Sequence, residues 1–171
     1  MRLVLTAACA LFAGAASAAD PVELAGMKST PPAEWKVKPL PANSMRQIQF
    51  VVPKAEGDAE DAEVAIFRLP NSGTVEQNLK RQLDKFVADG RKDKTDKIKV
   101  GPLDATYQDV SGTYLKKPFP MAQKGTPMKD WRQLYVVFSK GDDQYYVWLL
   151  GPAKTVEKHK AGFEGWLKNF Q

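Results

Sequence analysis

The stretch Trp131–Phe170, WRQLYVVFSKGDDQYYVWLLGPAKTVEKHKAGFEGWLKNF, leaves this chain few architectures to choose from. Leu134, Val136 and Phe138 alternate with Tyr135 and Val137; beyond a Lys-Gly-Asp-Asp turn, Tyr145, Val147 and Leu149 alternate with Tyr146, Trp148 and Leu150. Both strands are apolar on both faces, so they belong in the middle of a sheet that is covered on each side. Gly151-Pro152 stops the second strand and Thr155 offers a helix cap. Val156, Phe163, Trp166, Leu167 and Phe170 then make the inner face of a closing amphipathic helix. Gly162 and Gly165 weaken that helix by roughly 1 kcal/mol each against alanine, and would let it approach the sheet closely.

Upstream, Met45–Val52 places Ile48, Phe50 and Val52 on one face and Gln47 and Gln49 on the other, the period of a half-buried strand ended by Pro53. The acidic segment KAEGDAEDAE leads to a second strand, Glu63–Leu69, predicting an antiparallel hairpin stopped by Pro70-Asn71-Ser72-Gly73. Thr74 and Gln77 have capping-box spacing and open a helix. On it Val75, Leu79, Leu83, Phe86 and Val87 share the inner face, Lys80, Arg81, Asp84 and Lys85 face out, and Gly90 takes the C-terminal position. Arg91–Lys99, RKDKTDKIK, reads as a solvated charged loop. A short strand over Ile98–Leu103 and a longer one over Ala105–Leu115 follow, with Gly112 marking a bulge. The expected order is β-β-α-β-β-β-β-α without a βαβ repeat or phosphate loop: an α+β domain with a mostly antiparallel sheet flanked by helices.

The chain's 171 residues suit one such domain, and 43% apolar residues suffice for its core. Residues 1–18 have the layout of a secretory signal peptide: Arg2, an apolar run too short for a transmembrane span, and Ala16-Ser17-Ala18. Residues 19–40 contain Pro21, Pro31, Pro32 and Pro39 and read as a proline-rich lead-in that Trp35 anchors to the domain edge; 41–171 is the α+β domain. The expected location is periplasmic or secreted, with no transmembrane segment after cleavage. Thr6 stands where a lipoprotein signal would want leucine before Cys9, the single cysteine. Cleavage would remove that cysteine, and with it disulfides, thiol nucleophiles and thiolate ligands. The formal charge of +5 is spread in mixed-sign patches, which excludes a nucleic-acid arm or a polybasic membrane anchor.

No cofactor motif stands out. His159 is the single histidine, with no serine or cysteine constellation to match it. Glu56, Asp58, Glu60, Asp61 and Glu63 lack EF-hand spacing and read as a polar hairpin tip; no metal site is expected. The best binding candidate is the proline-rich loop Lys116–Lys129. Its Lys116, Lys117, Lys124 and Lys129 surround Phe119, Met121 and Met128, so an unidentified protein or an anionic, amphipathic ligand would meet both charge and apolar surface.

The segments MRQIQFVVP, EDAEVAIFRL, TVEQNLKRQLDKF, VSGTY and YYVWLLGPAKTVEKHKAGFEGWL resemble an uncharacterised family of exported, planctomycete-type bacterial proteins. Their layout is similar to the PsbP-like fold, an α/β/α sandwich named for an extrinsic subunit of the photosynthetic oxygen-evolving complex. The resemblance covers roughly Trp35 to Phe170. That family carries a glycine-rich turn before the first helix and a tryptophan within it, where this chain has Pro70-Asn71-Ser72-Gly73 and Gln82. The resemblance implies an assembly or binding subunit and transfers no catalytic residue. The expected function is therefore that of an exported, non-enzymatic binding or accessory domain. The alternative is a carboxylate-dependent hydrolase of the cell envelope that draws on Asp104, Asp109 and the acidic hairpin, which would need two carboxylates converging in a cleft.

Overall fold

The computed structural model describes residues 19–70, 73–119, 122 and 124–171; the expected signal peptide with Cys9, and Asn71, Ser72 and Met121, lie outside them. Seven strands form one antiparallel sheet in the order β3-β4-β5-β9-β8-β7-β6. They are β3 (Lys36–Val37), β4 (Arg46–Val52), β5 (Ala62–Pro70), β6 (Lys92–Val100), β7 (Leu103–Lys116), β8 (Thr126–Lys140) and β9 (Asp143–Pro152). Helix α1 (Val75–Leu83) packs on one face and α2 (Ala153–Lys168) on the other, so the α+β class, the α/β/α layering and the helix positions match the sequence. The two strands expected to be central are central, β9 being the middle strand of the seven. The two-residue connection between them needs Gly141, whose φ of +60° a side chain would resist.

The α2 face holds the main core. Val64, Ile66, Leu134, Val136, Val147 and Leu149 meet Val156, Phe163, Trp166, Leu167 and Phe170, all at most 3% exposed. The lead-in closes this core. Residues 19–40 add a small hairpin, β1 (Val22–Leu24) with β2 (Met27–Ser29), and Trp35 inserts between Phe50, Phe163 and Trp166 with ring centroids 5.6–6.4 Å apart. Three-residue strands around an Ala25-Gly26 turn leave too little alternation to be read from sequence, but both turn residues have positive φ, as a tight hairpin requires. Lys28 and Gln171 exchange backbone hydrogen bonds at 2.8 and 3.2 Å, tying that hairpin to the end of the chain. Gly162 faces Pro32 of the lead-in and Gly165 has open space, so neither glycine brings α2 closer to the sheet.

Three local expectations are corrected. The charged run after Gly90 is strand β6, paired along its length with β7. Its outer edge is solvated, so it needs no apolar alternation, and its lysines guard that edge against further pairing. Helix α1 ends at Leu83, because Phe86 bridges to Tyr114 and the Val87 amide donates to Thr113 O at 2.9 Å. Pairing with β7 overrides helical spacing for these two strand-favouring residues. Thr155 does not cap α2: it is fully buried, and its amide and hydroxyl donate to Asp58 Oδ2 at 2.9 and 2.6 Å. An acidic side chain from the β4–β5 loop thus satisfies the first turn of a helix that begins after Pro152 and has no side-chain cap of its own. Replacing Asp58 with alanine should lower unfolding free energy by about 1–2 kcal/mol, the cost of losing a cap. Urea denaturation checks this; a change within the noise of an ordinary surface substitution would refute the cross-loop cap.

Candidate functional site

Along each central strand side chains alternate between faces, so the residues set against those of the α2 face define a second surface: Gln49, Glu63, Phe67, Tyr146, Trp148, Leu150, Gln133, Tyr135 and Trp131. Helix α1 covers part of it through Val75, Leu79 and Leu83. Two clefts open on this face, one on each side of Trp148. The first, of about 230 Å³, lies along the end of α1 and is lined by Met45, Phe67, Leu69, Asn78, Arg81, Gln82, Lys85, Tyr135, Tyr146 and Trp148. The second, of about 490 Å³, runs between β4, the β4–β5 loop and β7, with Lys38, Arg46, Lys116 and Lys117 facing Glu60, Asp61, Glu63, Tyr114 and Trp131.

Trp148 and Glu63 form the divide. Glu63 accepts from Arg46 at 3.0 Å, Gln49 Nε2 at 2.9 Å and Trp148 Nε1 at 3.2 Å. The Arg46 guanidinium lies 5.7 Å from the ring centroids of both Phe67 and Trp148. On the other side Lys85 Nζ is 5.0 Å from the Trp148 ring and donates to Gln82 Oε1 at 2.7 Å, and the same oxygen accepts from Gln133 Nε2 at 3.2 Å. Gln82 is 7% exposed, so this acceptor is fixed from below. Burial pushes the Lys85 amine down to about 8; Glu63 opposes the shift, and Arg46 and Arg81 reinforce it.

The candidate loop is shorter than its sequence implies. Lys116 pairs with Thr126, Leu115 with Pro127 and Tyr114 with Met128, so only residues 117–125 form the connection. Lys116 and Lys117 enter the second cleft, where Lys116 pairs with Glu60 at 2.6 Å and lies 5.4 Å from the Trp131 ring. Phe119 is 59% exposed, Lys124 is exposed, and Met128 packs beside Trp131 and Tyr114. Met121 is outside the described residues. Lys38 and Lys117 make no ion pair among the described residues, so this cleft keeps two cations unspent.

The carboxylates considered for hydrolysis do not converge. Asp104 and Asp109 are five residues apart on β7 and project to opposite faces; Lys99 holds the first at 2.7 Å and Arg132 the second at 2.7 and 2.8 Å. In the acidic hairpin Asp58 serves α2, Asp61 accepts from the Lys54 amide, and Glu60 and Glu63 are in ion pairs. His159, 4% exposed, lies on α2 inside the core: Trp35 Nε1 donates to its Nδ1 at 3.4 Å, Glu34 Oε1 lies 3.5 Å from the same nitrogen, and its Nε2 is 2.9 Å from Pro53 O. Among the described residues no group of three or more His, Cys, Asp or Glu could hold a metal ion, and no helix is long and apolar enough to cross a membrane.

Lys85 was missed by helical spacing, which places it on the solvent face. Because α1 stops at Leu83 and the chain turns to pair with β7, Leu115 N bonding Lys85 O at 2.8 Å, its side chain falls across Trp148 instead.

No family model matches this chain, and no curated protein matches it. Among solved structures it is similar to the solution structure of cyanobacterial PsbP (CyanoP) from Synechocystis sp. PCC 6803. The TM-score is 0.53 at 12% identity, over 96% of this chain and 97% of that one. This likeness establishes a PsbP-like fold.

The lowered Lys85 amine predicts a pH signature. Below about pH 8 the half-buried ammonium exerts its full destabilising effect. Between there and the ordinary lysine range the folded state has lost the proton while the unfolded chain keeps it, so stability contributed at this site rises with pH. The urea midpoint of the wild type should therefore gain on that of Lys85→Met between pH 7 and pH 10; a constant difference would show an unshifted amine.

Proposed function

We propose that this chain is an exported, non-catalytic binding or accessory domain that holds an anionic or amphipathic partner on the sheet face opposite α2, with the 117–125 loop at its margin. The observation that carries the reading is the second cleft: a floor of Tyr114 and Trp131, stacked at 5.2 Å, beside Lys38 and Lys117, which make no ion pair among the described residues. Charge left unpaired over an aromatic floor, with Tyr114 half-buried and Trp131 7% exposed, favours an oppositely charged, partly apolar partner. Exposed Phe119 and Lys124 extend that surface along the loop.

Export to the periplasm or beyond is supported by the leader-like residues 1–18. The non-catalytic reading is supported by the dispersal of the carboxylates: Asp104 and Asp109 project to opposite faces, and Asp58, Glu60, Asp61 and Glu63 each have a structural partner. The PsbP-like fold is compatible with many functions, and the reading rests on the site.

Native mass spectrometry of the protein purified from its own host tests this proposal. The expected result is a stoichiometric extra mass or bound subunit that the combined variant Lys117→Ser, Phe119→Ser, Lys124→Ser releases while the fold is retained. A bare monomer that remains bare after challenge with host extract would overturn it.

A further inference from the structure

We propose that the first cleft, between the end of α1 and strands β5, β9 and β8, is a site for a small aromatic monoanion, its ring seated against the half-buried Phe67 and Trp148 over a floor that includes Tyr146, and its carboxylate or equivalent at Lys85 and Arg81. This deepens the binding reading by assigning a ligand class to a site separate from the loop-side cleft.

The walls select for a ring. Phe67 and Trp148 lie with centroids 4.5 Å apart, Tyr135 and Tyr146 with centroids 6.1 Å apart, and Met45, 67% exposed, stands at the rim. Flat apolar walls around about 230 Å³ suit one or two fused rings and are too small for most elaborated ligands, whose pockets run to roughly 300–1,000 Å³. The polar groups select for a negative charge. Among the described residues lining the cleft there is no carboxylate, while Lys85 and Arg81 supply two cations. The Lys85 ammonium has three donors and one hydrogen-bonding acceptor, Gln82 Oε1, which Gln133 holds in place. Glu63 already accepts three hydrogen bonds and lies on the far side of Trp148, so it offsets the lysine charge only at a distance. A ligand anion would give Lys85 the partner that burial makes costly to lack.

The groups facing Lys85 are Arg46 on β4, Glu63 on β5, Arg81 on α1, Tyr135 on β8 and Tyr146 on β9. Burial raises the Tyr135 phenol well above its usual range, so it stays neutral while Lys85 titrates. Binding of an anion should therefore weaken as pH rises through the Lys85 transition near 8.

The test uses naphthalene-2-carboxylate and its uncharged methyl ester, each titrated into the ¹⁵N-labelled protein and followed by amide chemical shifts. The acid should saturate at pH 7 and move Gln82, Lys85, Tyr146 and Trp148. The ester should bind at least about tenfold more weakly, Lys85→Met should lose about tenfold for the acid, and Lys85→Arg should retain most affinity. At pH 9.5 the wild type should approach the Lys85→Met value. No saturable shift, equal affinity for acid and ester, or shifts confined to the Lys116–Lys117 cleft would overturn the assignment. The ester and pH comparisons use unaltered protein, so the proposal stays falsifiable even if Lys85→Met fails to fold. A host partner retained in native mass spectrometry alongside failure of the naphthoate titration would sink this inference alone; the converse result would sink only the loop-side reading.

Discussion

The fold depends on one hairpin that cannot face water on either side. Strands β8 and β9 bury Leu134, Val136, Val147 and Leu149 on one face and Tyr135, Val137 and Tyr146 on the other, all at most 3% exposed. The two helices are placed by the need to cover those two faces. Helix α2 follows β9 directly and takes the first. The other face is covered by a helix of only nine residues, and that coverage is incomplete.

Incomplete coverage is what leaves clefts open on the α1 face. On the α2 face, the lead-in hairpin, Trp35 and the end of the chain fill the space around the helix, leaving a continuous aromatic core. On the α1 face nothing comparable arrives among the described residues, and the remaining surface is lined by Trp148, Trp131, Tyr114 and Phe67 with Arg46, Lys85 and Lys116 lying over the rings. Cations over indole faces shield apolar surface without filling it. Such a surface is compatible with a stable free protein.

The two faces also treat charge differently. Next to α2, Arg132 is held by Asp109 and Glu157, and Tyr107 donates to Glu164, which Lys160 also reaches. These groups close on one another and leave little to bind. Opposite, Lys85 has a hydrogen-bonding glutamine and a distant carboxylate, and Lys38 and Lys117 have no ion-pair partner among the described residues. Unbalanced charge beside unfilled aromatic surface separates the α1 face from the rest of the molecule.

Residue spacing alone determined the strand hairpins, the central place of β8 and β9, the start of α1 at the Thr74–Gln77 capping box and the buried stripe of α2. In each of these the local period agrees with the final burial, because one face of the element does all the packing. Sequence also brought the Lys116–Lys117 region forward, through cations beside aromatic and methionine side chains. Tertiary structure alone decided the rest. An edge strand such as β6 carries no apolar alternation to read, and three-residue strands such as β1 and β2 are too short to show a period. The position of Lys85 depends on where α1 stops, which the pairing of Phe86 with Tyr114 sets from almost thirty residues away. Whether Asp104 and Asp109 could cooperate depends on strand parity, and Asp58 found its role on a helix distant in the chain. Local pattern fixes which side of an element is apolar; only the assembled sheet determines which polar groups end on the same side of it.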